Sequence, residues 1–201
     1  MCKIICITNR KLCRAGFPEQ LKKIAAARPD MVILREKDMS EKEYSELTEI
    51  STEICKGYDV PLAVNSFWKT ASELGIKRVH LPLHILRDMS ADDKVKFDVI
   101  GTSCHSVEDA IEAQALGAGY IIAGHIFETD CKKGLAGRGT GFLSEVCKAV
   151  DLPVYAIGGI SADNAAECIR AGADGICLMS GFMQAEEVSL FTDTLRARIT
   201  I

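Results

Sequence analysis

The segment from Gly124 to Gly139 concentrates reactive side chains directly behind an apolar run, Tyr120 to Ala123. It reads GHIFETDCKKGLAGRG and holds an imidazole, carboxylates, a thiol and several cations, with glycines between them. A connection between a strand and a helix usually takes about 2–6 residues, and longer polar connections are typical of loops that bind ligands. We therefore predict that this segment is a functional loop at the end of a strand.

A second candidate site follows the apolar run Met31 to Leu34, where the sequence continues Arg35-Glu36-Lys37-Asp38. Side chains alternate across an extended strand, so we expect Arg35 and Lys37 to point one way and the two acids the other. Two cations converging at a strand end predict an anion site. The alternative is a charge run that lies in solvent.

Two glycine turns near the C-terminus indicate where a phosphate group would bind. Gly158 and Gly159 follow one apolar run, and Ser180 and Gly181 follow the next. Backbone N–H groups can approach a phosphate closely only where no side chain intervenes. Tight turns that require glycine are the alternative explanation.

Composition limits the classes of protein to which the chain can belong. It has 201 residues, 48% of them hydrophobic, and a net charge of -4 with scattered lysines and arginines. This length predicts one domain over residues 1–201, and the charge predicts no nucleic-acid partner. No run of about 18 apolar residues and no signal cleavage site occurs, so we expect a cytoplasmic protein without a membrane partner.

The nine cysteines do not predict a disulfide framework. Their number is odd, their spacing is irregular, and no Cys-x-x-Cys pair suggests a zinc or redox site. We expect most of them to be reduced. Cys6, Cys168 and Cys177 lie in apolar periodic segments and are predicted to be small buried hydrophobes.

Apolar runs recur about every 20 to 30 residues, which is the length of one strand-loop-helix unit. The runs are Ile4 to Ile7, Met31 to Leu34, Leu62 to Val64, Arg78 to Leu81, Val99 to Thr102, Tyr120 to Ala123, Val154 to Ile157 and Gly175 to Met179. Predicted helices between them include Ser40 to Cys55, Ser106 to Leu116 and Ser161 to Ala171. This α/β pattern predicts a (β/α)8 TIM barrel, with an open doubly wound sheet as the alternative.

In such a barrel the active site lies on the loops after the C-terminal ends of the strands. The polar residues at those ends are therefore the candidate site residues. Besides those already named, they are Thr8, Asn9, Asn65, Ser66, His80, Ser103 and His105.

Five segments in this order resemble the thiamine phosphate synthase/TenI superfamily across nearly the whole chain. They are Leu34 to Lys37, Val79 to Leu81, Ile100 to Ser106, Ala156 to Ile160 and Ala171 to Gly175. The resemblance implies a (β/α)8 barrel and a role in thiamine biosynthesis. It also implies a thiazole phosphate ligand, with its phosphate on the loops of Gly158-Gly159 and Ser180-Gly181.

The chain departs from the synthase pattern where that pattern supplies magnesium ligands. Synthases carry Asn-Asp after strand three and an acidic residue just past strand four, whereas this chain has Asn65-Ser66 and the segment PLHI at 82–85. Ile33 also replaces a glutamine of the synthases. Without those carboxylates a magnesium diphosphate complex loses its preferred oxygen ligands. We therefore expect no cofactor, and magnesium only if the synthase chemistry holds.

The Gly124 loop, in contrast, closely resembles the TenI branch, whose characterised member is a thiazole tautomerase, an isomerase. Synthases have proline where this chain has His125. The resemblance implies that His125 is the general acid/base that moves a proton, for which an imidazole is suited near neutral pH. It also implies substrate contacts from Arg35, Lys37, Asn65, Ser103, Thr129 and Lys132.

Three functions stay open. They are the tautomerase, a transferase (thiamine phosphate synthase) with magnesium on Asp88, Asp92 or Asp93, and a non-catalytic regulator that binds thiazole or thiamine phosphate. A nucleophilic Cys131, activated by its neighbouring lysines, is conceivable, but a proton shift needs no covalent step. The exposed helices of a small barrel are compatible with a homodimer.

Overall fold

Each predicted apolar run contributes a strand in this computed structural model, which describes residues 2–14, 16–129, 132 and 134–200. The strands are β1 (Lys3–Ile7), β2 (Met31–Leu34), β3 (Leu62–Asn65), β4 (Arg78–Pro82), β5 (Val99–Cys104), β6 (Tyr120–Gly124), β7 (Val154–Ile157) and β8 (Gly175–Leu178). Within the described residues they pair in parallel in chain order, and β1 also pairs with β8. The closed barrel confirms the predicted TIM fold. An open sheet would have left two strands as unpaired edges.

Helices connect the strands on the outside of the barrel. They are a 3-10 helix (Arg10–Leu12), α1 (Phe17–Ala26), α2 (Glu41–Lys56), α3 (Trp68–Glu73), α4 (Leu83–Asp88), α5 (Ala91–Lys94), α6 (Val107–Ala115), α7 (Gly139–Ala149), α8 (Ala165–Arg170), α9 (Ser180–Gln184) and α10 (Val188–Ile199). In the described part of the chain, no helix combines the length and apolar character that crossing a membrane requires.

Two of the predicted helix starts are confirmed, and one is wrong. Ser40 forms a full capping box with Glu43, and the Ser106 side chain caps α6. The helix predicted from Ser161 begins only at Ala165. The reason is local, because the Ser161 backbone N–H donates to Asn164 Oδ1 at 2.8 Å, and this bond closes a turn before the helix.

Strand side chains divide into two apolar layers, one under the helices and one inside the barrel. Ile4 and Cys6 belong to the outer layer, whereas Ile5, Ile7 and Cys177 belong to the inner one. Burial on both faces explains why the strands are continuous apolar runs rather than alternating ones. The predicted burial of Cys6, Cys168 and Cys177 is confirmed, and all three are free thiols.

The Tyr120 ring fills the inside of the barrel, where the neighbouring strand has a glycine and therefore no side chain. Gly101 lies opposite Tyr120 in the β5/β6 register, and a Cβ added to Gly101 would lie 1.9 Å from the tyrosine ring. The ring is buried and its hydroxyl points to His80. Glycine at position 101 therefore makes room for a large polar-tipped side chain beneath the C-terminal end of the barrel.

We predict that Gly101→Ala destabilises the protein by about 3 kcal/mol or more, because the barrel interior cannot accept a methyl group against the Tyr120 ring. Gly141→Ala is the matched control, since Gly141 lies in α7 and an added Cβ would meet no atom within 4 Å. Alanine there should stabilise the helix by up to about 1 kcal/mol. Urea unfolding of both variants measures the difference, and equal stabilities would contradict this account of Gly101.

Candidate active site

A cavity of about 500 Å³ opens at the C-terminal ends of the strands. Its volume lies in the range usual for small-molecule sites. The structure brings every predicted substrate residue to its wall, although their roles stay predictions. These residues are Arg35, Lys37, Asn65, Ser103, His125, Thr129, Lys132, Gly158, Gly159, Ser180 and Gly181.

The cations after β2 lie on the cavity side, as the alternation of side chains predicts. Arg35 and Lys37 line the cavity, while Glu36 and Asp38 turn away to form ion pairs with Arg10. The pKa of Lys37 is lowered mainly by the charge of Arg35, then by burial and by the charge of Lys132. This mutual repulsion favours the binding of an anion between the cations.

Thr8 holds the segment that carries these cations but does not itself reach the cavity. Its hydroxyl accepts a hydrogen bond from the Arg35 backbone N–H at 2.9 Å and donates to the buried carboxylate of Glu36 at 2.8 Å. Ile7 lines the cavity in place of Thr8, because neighbouring residues on β1 face opposite ways. Asn9 caps the following 3-10 helix. The candidates Thr8 and Asn9 therefore lie off the described cavity wall.

A buried imidazole lies under the cavity floor. His80 is 3% exposed, its Nε2 lies 2.8 Å from Ser103 Oγ, and its Nδ1 lies 3.2 Å from Tyr120 Oη. Burial, and to a lesser extent the charge of Arg35, lowers the pKa of His80 to about 3. His80 is therefore neutral near pH 7 and orients Ser103. The amide of Asn65 donates to the His80 backbone carbonyl at 3.0 Å, which fixes the next polar group along the floor.

Two further histidines lie at the cavity rim, and backbone carbonyls determine which nitrogen carries hydrogen in each. His105 Nδ1 lies 2.8 Å from the Gly124 carbonyl oxygen, and His125 Nε2 lies 3.3 Å from that of Leu135. A carbonyl oxygen only accepts hydrogen bonds, so both of these nitrogens are donors. The other ring nitrogens, His105 Nε2 and His125 Nδ1, have no hydrogen-bond partner among the described residues.

The turn after β7 supports the loop that carries His125. A Cβ on Gly158 would lie 2.3 Å from His125 Cβ, and one on Gly159 would lie 2.2 Å from the Glu128 carbonyl oxygen. Both glycines also have positive φ angles, +102° and +65°. Packing and backbone conformation thus require these glycines without any ligand, and phosphate binding there stays a prediction. The packing does place His125 beside the predicted phosphate site.

Two polar cavity residues were missed in the sequence. His84 is the second residue after β4, in a segment whose lack of acids was the only feature that the sequence analysis used, and Asp109 lies in the first turn of α6. Asp109 follows Ser106 by three residues, a spacing typical of a capping pair, and its carboxylate accepts from the His105 backbone N–H at 2.8 Å. That spacing was the available signal for its position near the loop.

The described residues do not fit a magnesium diphosphate site. Asp109 is the one carboxylate on the described cavity wall, and no described group of three or more His, Cys, Asp or Glu side chains could hold a metal ion. Asp88, Asp92 and Asp93, the alternative ligands, lie off that wall, and Asp93 instead bonds Ser90 and Lys96. Cys131, the conceivable nucleophile, lies outside the described residues.

Comparison with known proteins gives consistent matches. The family model described as "Thiamine monophosphate synthase" matches residues 4–182. A thiamine-phosphate synthase of Clostridium tetani is 31% identical over 193 residues, covering 93% of this chain and 90% of that protein. One from Halalkalibacterium halodurans is 34% identical over 165 residues, covering 79% and 76%. The structure of a thiamine phosphate pyrophosphorylase from Pyrococcus furiosus aligns with a TM-score of 0.85 at 30% identity, covering 98% and 95%.

The buried His80 predicts a loss of stability in mild acid. Its pKa of about 3 in the folded protein lies below that of an unfolded histidine, about 6.5, so the unfolded chain binds a proton that the folded one does not. The contribution is present above pH 6.5 and is lost as the pH falls toward 3. Between pH 7 and pH 5 it amounts to about 2 kcal/mol.

Urea unfolding of the wild type and of His80→Gln at pH 7 and pH 5 measures this effect. Glutamine can keep the hydrogen bond to Ser103 but does not titrate, so the variant should lose correspondingly less stability over this interval. The other histidines are present in both proteins and cancel in the difference. Equal losses in the two proteins would show that His80 is not the buried titrating group.

Proposed function

This chain belongs to the thiamine monophosphate synthase family, which includes TenI, and we propose that within it the protein is a thiazole tautomerase that aromatises carboxythiazole phosphate. One observation carries the proposal. His125 lines a cavity that also contains Arg35, Lys37 and Lys132, while the carboxylate of the described wall, Asp109, is already bonded to a backbone N–H. On the described wall, the site therefore combines an imidazole that can carry a proton and cations that can hold an anion with a single carboxylate.

The substrate of this reaction has anionic groups at two ends, a carboxylate and a phosphate. The cavity offers cations from the β2 end and from the Gly124 loop, and glycine turns after β7 and β8. Apolar side chains of Ile7, Ile33 and Ile122 also line the cavity and suit a flat ring. In this arrangement Arg35, Lys37 and Lys132 neutralise the carboxylate, and the glycine turns receive the phosphate.

The reaction moves one proton within the substrate, so the substrate and the product are isomers. The Nδ1 of His125, which bonds none of the described residues, takes the proton from a ring carbon, and the ring becomes aromatic when a proton is returned elsewhere. Ser103, held by neutral His80, orients the substrate without changing its own charge. No electrons are exchanged with an outside acceptor.

A thiamine-phosphate synthase is the second candidate, and the names of the relatives favour it. The quoted relatives from C. tetani and H. halodurans are both named thiamine-phosphate synthase. The side chains of the described cavity wall favour the tautomerase instead. The synthase reaction releases a diphosphate whose charge needs neutralising by magnesium, and this wall offers a single carboxylate to bind that ion. Magnesium-dependent condensation of a pyrimidine diphosphate with thiazole phosphate separates the two candidates.

We expect purified protein to convert the unaromatised carboxythiazole phosphate tautomer to the aromatic thiazole without added metal. His125→Gln should reduce turnover by about 100-fold or more, the usual contribution of a general acid/base. Glutamine keeps a donor for the Leu135 carbonyl, so binding of the aromatic product should persist. Absorbance or NMR follows turnover, and calorimetry follows product binding.

Lack of acceleration over buffer would contradict the tautomerase proposal. Condensation with magnesium would then support the synthase. Tight thiazole phosphate binding with neither reaction would support a regulator.

We also predict that Arg35→Gln raises the KM for the carboxythiazole phosphate by about 10-fold or more, because a charge-assisted hydrogen bond to the substrate is lost. Arg14→Gln is the control for net charge, since Arg14 is exposed and pairs with Glu186 on the surface. Steady-state kinetics at fixed ionic strength measure both variants. An equal KM change in the two would indicate a general charge effect rather than a contact at the site.

A further inference from the structure

We infer that His105 is a second catalytic proton carrier of this cavity and acts together with His125. The inference rests on the proposed tautomerase function and extends it. His105 directly follows β5 and lines the same cavity as His125.

The His105 ring is held in one orientation and one tautomer. Its Nδ1 donates to the Gly124 carbonyl at 2.8 Å, and its backbone N–H donates to Asp109 Oδ2 at 2.8 Å. Nε2 is therefore the nitrogen of neutral His105 that holds a lone pair, and it bonds no other described residue. His80 is buried and has both nitrogens bonded, whereas His105 is exposed at the rim, so its Nε2 is left for a ligand or for water.

The two rim histidines are fixed relative to each other through a single peptide unit. The carbonyl that anchors His105 belongs to Gly124, the residue before His125. Gly124 packs directly against β7, because a Cβ there would lie 2.5 Å from Ile157 Cγ2. His125 bonds the Leu135 carbonyl through Nε2, so the two rings present opposite nitrogens, Nδ1 of His125 and Nε2 of His105.

This pair supplies both halves of a proton shift. His125 accepts the proton from the ring carbon through Nδ1 and becomes an imidazolium. The imidazolium form of His105 gives its Nε2 proton to the acceptor atom and becomes the neutral tautomer described above. The C–H bond that breaks and the bond to hydrogen that forms are both in the substrate, and the total number of protons is unchanged. Proton exchange with water at the cavity mouth then restores the starting protonation states.

His105→Asn is the variant that separates catalysis from anchoring. The asparagine side-chain amide can replace the Nδ1–H donor to Gly124 but has no group at the position of Nε2. His105→Ala removes both. Thermal unfolding and binding of the aromatic carboxythiazole phosphate show whether each variant is folded and keeps its site.

We expect His105→Asn to bind the product like the wild type and to lose about 100-fold in turnover. In D₂O, recovered substrate should still gain deuterium in this variant, since His125 removes the proton and returns a deuteron. His125→Gln should lose this exchange together with turnover. Deuterium incorporation is read by mass spectrometry.

Several results would overturn the inference. If His105→Asn is as active as the wild type while His105→Ala is inactive, His105 is only an anchor for Gly124. Loss of product binding in His105→Asn would also make it a positioning residue. If the wild type itself gives no tautomerisation, the proposed function fails and the inference fails with it, whereas an active wild type with an active His105→Asn overturns the inference alone.

Discussion

Closure of the barrel forces every second strand residue inward, and the chemistry of the cavity depends on this constraint. The same two-residue period sends Arg35 and Lys37 to the ligand side and Glu36 and Asp38 to Arg10 on the outside. The apolar inner layer gives way to polar side chains at the C-terminal end of the strands, where the cavity lies. A one-residue shift in any strand would exchange these two sets of side chains.

The contact between the β6 and β7 loops joins the two functional parts of the cavity. The His125 backbone passes so close to Gly158 that no side chain fits between them, and Ile126 and Phe127 donate backbone hydrogen bonds to Ile157 and Gly158. His125 and the predicted phosphate turn are thus parts of one packed unit. A substitution intended to test phosphate binding at Gly158 would also displace His125.

The fold and most of the cavity wall could be predicted because they follow from periodicity. Eight apolar runs at strand-helix spacing determine the barrel, and the polar residues after them determine the rim. Details that depend on side-chain direction beyond the strand end could not be predicted in this way. Thr8 turns behind the rim to bond Arg35, and Asp109 reaches it from a helix. The matches show the family. The choice between a tautomerase and a synthase within it depends on a few residues of the cavity wall.

The neutral His80 has a consequence for how the cavity exchanges protons with its surroundings. Its two nitrogens are occupied by Ser103 and Tyr120, and its pKa of about 3 means that it does not take up a proton under ordinary conditions. The floor therefore keeps its charge constant over the pH range in which an ordinary histidine titrates. In the proposed mechanism the groups that exchange protons lie at the rim, so they are separate from the group that links the polar floor to the apolar core.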